Sequence, residues 1–302
     1  MSSGWSWYVV LITVVNIVAS AWLLLWARSK RVDEPQAGET LGHDFDGIEE
    51  YDTPLPRWWL WLFIGTIAFS AAYLVLYPGL GSFAGTLGWS QHGQYDAEMQ
   101  RAAGQYGPLY AAYAAKSIEE LSRDNKAVRT GQRLYANTCA GCHGADARGG
   151  VGYPDLTDND WIFGGTPAAI KTSILDGRMG VMPPFAPALG GDEGVANVVA
   201  YTLSLSGRKV DPARAAAGKE KFLTICAACH GPEGKGNPAV GAPNLTDDIW
   251  LFGGTPQAIE EGLRKGRMSR MPPHRDILGE ERAHLIAAYI YGLSHEGEGA
   301  MR

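Results

Sequence analysis

The chain has 302 residues, enough for about two domains at roughly 150 residues each. Acidic residues outnumber basic ones, 32 to 26, and this balance of −6 excludes nucleic acid as a main partner, since such binders carry a basic face. Apolar content of 46% against 19% charged residues excludes a disordered chain, and four cysteines are too few for a disulfide scaffold.

Mean hydropathy is −0.12, the value of an ordinary soluble protein, but the apolar residues are unevenly spread. Trp5 to Ala27 is a run of 23 residues without a charge, and Trp58 to Tyr77 is another of 20. Each is long enough to cross a hydrocarbon core of about 30 Å as a helix. Tryptophans at their edges (Trp5, Trp7, Trp22, Trp26, Trp58, Trp59, Trp61) fit an interfacial belt. Ala19-Ser20-Ala21 resembles a signal-peptide cleavage site, but residues 1–4 lack a positive charge and the apolar run continues through Trp22-Leu23-Leu24-Leu25. An uncleaved anchor is the better reading.

The loop between the spans holds Arg28, Lys30, Arg31 and Arg57, whereas residues 1–4 hold no basic group and none follows the second span until Arg101. Positive loops stay in the cytoplasm, so residues 28–57 are expected there, with both termini on the opposite, periplasmic side of a bacterial inner membrane. Eight carboxylates also lie in the loop: Asp33, Glu34, Glu39, Asp44, Asp46, Glu49, Glu50 and Asp52. They read as a solvated loop, or more sharply as a docking segment. A connector follows over 84–126, with helix over 96–124 interrupted near Gly107-Pro108.

The remainder is an internal duplication. Gly131 to Cys139 matches Gly218 to Cys226 at an offset of 87, and from Pro154 onward the offset becomes 89. Trp161 and Phe163-Gly164-Gly165-Thr166-Pro167 align with Trp250 and Phe252-Gly253-Gly254-Thr255-Pro256; Gly177-Arg178-Met179 and Met182-Pro183-Pro184 align with Gly266-Arg267-Met268 and Met271-Pro272-Pro273. Two domains are expected, over 127–208 and 209–302. Both read as helical: Thr166 and Thr255 are N-caps with proline next, Gly177 and Gly266 end those helices, and last helices fall at 192–205 and 280–293. No run alternates enough to predict a sheet. The fold class is therefore all-α, with two amino-terminal transmembrane helices (1–83 forming the anchor) and two small tandem domains that need something else to fill their cores.

Cys139-Ala140-Gly141-Cys142-His143 and Cys226-Ala227-Ala228-Cys229-His230 supply it. Each matches the c-type haem attachment pattern, in which two thiols form thioethers to one haem and the adjacent histidine binds its iron. A four-cysteine zinc site would not need histidine after both pairs, and a thioredoxin-like motif expects a βαβ context. Two covalent haem c groups are expected. The sixth ligands should lie downstream, where Met182 and Met271 sit 39 and 41 residues after their histidines in stiff Met-Pro-Pro loops. Met179 and Met268 are weaker rivals. Spacing leaves open whether each methionine serves its own copy. Pro154 and Pro243 are placed to accept from the Nδ1–H of His143 and His230. Trp161 and Trp250 either flank the haem or pack in the core, and Arg178 and Arg267 either pair haem propionates or face solvent. His274, without a counterpart in the first copy, reads as a surface residue.

These features together resemble the membrane-anchored dihaem subunit, subunit III, of cbb3-type cytochrome c oxidases. The resemblance covers the whole chain and is most specific in the loop, at His43-Asp44-Phe45-Asp46-Gly47-Ile48-Glu49-Glu50 and Leu55-Pro56-Arg57-Trp58-Trp59. It implies electron transfer from a donor cytochrome c, through two haems, toward a monohaem subunit and a catalytic haem-copper subunit where oxygen is reduced. Closed histidine–methionine ligation agrees: the polypeptide conducts electrons and performs no oxygen chemistry itself. A cytochrome of another chain and a dihaem peroxidase are the alternatives. Arg264, Lys265, Arg267, Arg270 and Arg275 around the second Met-Pro-Pro, against Lys171 and Arg178 around the first, lead to the expectation that the two haem faces meet different partners.

Overall fold

The computed structural model describes residues 2–29, 38–51, 53 and 55–299. Loop residues Lys30, Arg31, Asp33, Glu34 and Asp52, used above for orientation and charge, lie outside them. The chain divides into two compact units, Met1–Gly104 and Gln105–Arg302.

In the first unit, helix α1 (Ser3–Arg28) and helix α2 (Arg57–Leu76) are the two apolar spans. Their apolar windows reach mean hydropathies of 2.3 and 1.9, and only 6% of each is buried by protein. Such surface is stable in lipid and not in water. Ser6 Oγ accepts the Ser82 N–H at 2.8 Å, tying the start of α1 to the glycine turns after α2. Between the spans the expected plain loop contains a hairpin, β1 (Thr40–Phe45) and β2 (Ile48–Tyr51), joined by Asp46-Gly47. Both turn residues have positive φ, 55° and 87°, the geometry that matches strand twist in a two-residue hairpin. Helix α3 (Gln91–Ala114) runs unbroken through Pro108, where the sequence had led to an interruption. Proline there removes one backbone donor without ending the helix.

The second unit continues with α4 (Ile118–Leu121), α5 (Asn125–Thr138), α6 (Ala140–His143), α7 (Pro167–Asp176), β3 (Arg178–Met182), α8 (Ala186–Leu189) and α9 (Asp192–Leu205). The second repeat supplies α10 (Pro212–Lys221), a π-helical turn (Phe222–Cys226), α11 (Ala227–His230), α12 (Pro256–Lys265), β4 (Arg267–Met271) and α13 (Arg275–Gly299), which bends at Gly279. Thr166 Oγ1 caps α7 at Ala169 N–H and Thr255 Oγ1 caps α12 at Ala258 N–H, as the sequence predicts.

Two features depart from the sequence reading. First, β3 and β4 pair antiparallel, Arg178 opposite Met271 through Met182 opposite Arg267, so one strand from each repeat forms a ribbon. Second, the hydrophobic cores do not follow the repeats. One core joins Leu121 of the connector and Tyr135, Ile170 and Ile174 of the first repeat to Leu285, Ile286 and Tyr289 on α13 of the second. The other joins Val195, Val198 and Leu203 on α9 of the first repeat to Leu263, Ile259 and Ile225 of the second. The last helix of each repeat thus completes the other repeat's core. Matching ring pairs seal both crossings: Tyr135–Tyr289 with centroids 5.4 Å apart, and Tyr201–Phe222 at 5.1 Å.

Glycine makes the close helix crossings possible. A β-carbon at Gly131 would overlap the Leu285 carbonyl oxygen, and one at Gly218, the equivalent position, would overlap that of Asn197. Because the obstacle is backbone, neither methyl is absorbed by rotating a side chain. Gly131→Ala and Gly218→Ala are each expected to cost about 1–3 kcal/mol through overpacking. Their thermal midpoints should fall accordingly, whereas Gly141→Ala, at an open position, should not.

Candidate functional site

Each Cys-x-x-Cys-His unit forms one tight helical turn. Cys139 is the last residue of α5's axis before α6, and the N–H groups of Cys142 and His143 both donate to its carbonyl, at 3.1 and 3.0 Å. Both thiols therefore issue from one turn, with the histidine next to them. The second unit follows its π-helical turn, with Cys226 capping α11 and Cys229 and His230 within it.

His143 Nδ1 lies 3.2 Å from the Pro154 carbonyl and His230 Nδ1 lies 3.0 Å from that of Pro243. A carbonyl accepts and never donates, so the hydrogen sits on Nδ1 and the Nε2 lone pair is free to bind a metal. Burial lowers the pKa of both imidazoles, against the opposing pull of the proline carbonyl, which keeps them neutral and ligand-competent. The thiols of Cys139 and Cys226 are pushed up by burial to about 11. A disulfide oxidoreductase needs the opposite shift, toward a reactive thiolate. Among the described residues no three His, Cys, Asp or Glu side chains converge as a metal site, and Cys139 and Cys226 belong to separate cores.

The methionines are sorted by the ribbon. Its residues alternate, so Arg178, Gly180 and Met182 face inward with Arg267, Ser269 and Met271, while Met179 and Met268 are 66% and 75% exposed on the outer face. The ribbon also carries each inner methionine into the opposite lobe. Met271 packs against the core that contains Cys139, and Met182 packs beside Cys226. The loops after them cross in the same sense: the Phe185 N–H donates to Leu263 O at 2.8 Å and the His274 N–H to Ile174 O at 3.1 Å.

Other predicted residues fall as follows. Trp161 packs against the first core. Trp250 Nε1 and His274 Nδ1 are buried with no hydrogen-bond partner among the described residues, so His274 is no plain surface residue. Arg178 donates to Ser173 Oγ at 2.8 Å and stacks over Phe163; Arg267 donates to the Ala258 carbonyl at 2.6 Å and stacks over Phe252. Both are held beside the inner methionines by their own helices. The basic cluster near the second Met-Pro-Pro is largely neutralised. Arg264 pairs with Asp192 and Glu260, Lys265 with Glu261, and Arg275 with Asp176 and Glu280, leaving Arg267, which bonds the Ala258 carbonyl, and Arg270 without an ion pair among the described residues. The charge contrast read from the sequence is therefore much weaker on the folded surface.

An anionic, apolar-bodied haem fits this setting. Two thiols rise from one turn beside a neutral imidazole with a free Nε2, a thioether lies in the same core, and buried donors lack acceptors. The fold and site define a c-type cytochrome tethered by amino-terminal apolar helices. Residues 37–84 match the family described as the N-terminal domain of cytochrome oxidase-cbb3, FixP, and residues 126–201 and 213–290 match cytochrome C oxidase, cbb3-type, subunit III. A cbb3-type cytochrome c oxidase subunit CcoP of Rubrivivax gelatinosus is 48% identical over 302 residues, covering 100% of this chain and 98% of the relative. The CcoP subunit of Cereibacter sphaeroides is 36% identical over 278 residues, covering 86% and 96%, and the FixP subunit of Rhizobium meliloti is 36% identical over 284, covering 88% and 98%. The chain belongs to the subunit III family of cbb3-type cytochrome c oxidases. It is a haem c-binding membrane protein, an electron-transfer component of an oxidoreductase complex.

One polar cluster escaped the sequence reading. Asp158, Asp160 and Asp247, drawn from both repeats, lie close enough to oppose one another's ionisation. Burial, with help from Asp247 and Asp158, pushes the Asp160 carboxyl up to about 6. The folded chain thus holds that proton more tightly than the unfolded chain, and stability falls as pH rises from about 4 to about 6. Asp160→Asn should be more stable than its parent above about pH 7, by roughly 1 kcal/mol given the group's partial exposure, and equal to it near pH 4. Urea midpoints across that range measure this.

Proposed function

We propose that the chain carries two covalent haem c groups and passes electrons from a donor cytochrome c toward the monohaem and catalytic haem-copper subunits of the oxidase. The single observation behind this reading is that each core takes in the first cysteine of one Cys-x-x-Cys-His turn, Cys139 or Cys226, together with one inner methionine. When bound, haem c supplies one-electron exchange at its iron.

Cys139 and Cys142 would hold the first group by thioether bonds, with His143 Nε2 and, from the other repeat, the Met271 thioether as the residues that would bind its iron. Cys226, Cys229, His230 and Met182 would hold the second in the same way. Pro154 and Pro243 fix the histidine tautomers and make the ligands more basic. Methionine raises the potential relative to a second histidine and leaves no site for oxygen. The apolar residues of both cores exclude water from the ligands. Residues 1–83 form the anchor, 84–126 the connector, and the duplicated region 127–208 and 209–302 the electron-transfer part. Following the basic residues of loop 28–57, that loop is cytoplasmic, and the haem-bearing part and both termini are periplasmic.

Crossed ligation has a direct test. With Cys226 and Cys229 replaced by alanine, so that one haem remains, Met271→Ala should abolish the sulfur-to-iron absorption band and Met182→Ala should preserve it. The reverse result would restore ligation within each repeat. The parent chain should bind two haems and co-purify with a haem-copper subunit; isolation with a dehydrogenase instead would assign it to a different electron-transport chain.

A further inference from the structure

The repeats differ at the residue after each Met-Pro-Pro: Phe185 follows Met182-Pro183-Pro184, and His274 follows Met271-Pro272-Pro273. Their backbones are anchored alike, by the equivalent bonds to Leu263 O and Ile174 O, so each side chain enters the lobe of the opposite repeat. Phe185 packs into its core as an apolar ring should. An imidazole at the same place keeps two polar nitrogens, and His274 Nδ1 is buried with no partner among the described residues.

The two carboxylates beside Arg275, the next residue, are engaged. Arg275 takes Asp176, while Lys171 and Arg275 take Glu280. His274 also lies within electrostatic reach of His143, the histidine of the lobe it enters, and disfavours that imidazole's charged form. A buried donor without an acceptor is destabilising, and polar groups so placed are paired when the structure is complete. The component that this lobe is built to receive carries carboxylates.

We propose that His274 donates a hydrogen bond to a propionate carboxylate of the haem held by Cys139, Cys142 and His143, and so raises that haem's reduction potential above what a phenylalanine there would give. This rests on the crossed-ligand reading above. A carboxylate near the iron stabilises the ferric charge; a hydrogen bond draws negative charge away from it and favours the ferrous state. His274 is a positioning residue in this scheme and binds no iron. The second haem has no such donor, because Phe185 occupies the equivalent place. One substitution therefore makes two otherwise matched sites electrically unequal.

The test is a redox titration of the full-length chain, followed by visible spectroscopy, for the parent, His274→Phe and His274→Asn. His274→Phe should lower one potential, by on the order of tenfold in that haem's redox equilibrium (59 mV for one electron), and leave the other in place. His274→Asn, whose amide N–H lies near the Nδ1 position, should recover most of the loss. Both variants should keep two sulfur-to-iron bands. Unmoved potentials in His274→Phe would overturn the proposal, as would equal shifts in His274→Phe and His274→Asn, which mark a packing effect. Met182→Ala identifies which potential belongs to the second lobe. If His274→Phe moves that same potential, the crossing is wrong and the proposal falls with it; if the crossing stands and nothing moves, the proposal falls alone.

Discussion

Five residue pairs between β3 and β4 bear on everything else in the haem-bearing unit. Antiparallel pairing fixes which residues share a face, so the register decides which methionines look inward. In the observed register Met182 and Met271 do, and Gly180 and Ser269 between them leave room for the ribbon to lie close to the cores. A slip of one residue would send Met179 and Met268 inward and leave Met182 and Met271 outside. The same ribbon delivers each loop into the other repeat's lobe, where backbone bonds at Phe185 and His274 fasten it. Which methionines reach the cores, core composition and the contrast between the lobes thus follow from one short piece of pairing.

Electrostatics plays a smaller part than the charges in the chain imply. Arg264, Lys265 and Arg275 are matched by carboxylates on neighbouring turns, and exposed pairs of this kind contribute little stability. Their effect is to quench a field that would otherwise steer partners. The interior is governed by local polarity: proline carbonyls orient two imidazoles, while Trp250 Nε1 and His274 Nδ1 have no partner among the described residues. The exposed apolar surface of α1 and α2 obeys the same logic, since only lipid makes it stable.

Much of this was legible in the residues. The two spans, the helix caps at Thr166 and Thr255, the haem-attachment turns and the proline acceptors all depend on short-range patterns, and the structure has each of these elements in place. The ribbon was hidden because its alternation is inverted: apolar Met179 and Val181 face solvent while Arg178 and Gly180 face inward. Hydropathy therefore gave no strand signal. The hairpin at Asp46-Gly47 had a readable turn and was passed over as loop. The exchange between repeats was invisible for a deeper reason. When both copies carry the same motifs, closing each on itself or on its neighbour satisfies the same local pattern. Only contacts distinguish the two, and His274 took on meaning only once its lobe was known.

The exchange of final helices also orders events in time. As the chain is delivered from its amino end, Tyr135 and Ile174 arrive well before Leu285 and Tyr289, which complete their core. The second lobe, whose core draws on β3 through α12, has all its core residues once Lys265 has emerged. The lobe begun first is consequently the last to close, and its cysteine turn stays accessible until the carboxy-terminal helix docks. Assembly of the whole unit waits on its final thirty or so residues, so a truncation there harms the distant first attachment site before the nearer one.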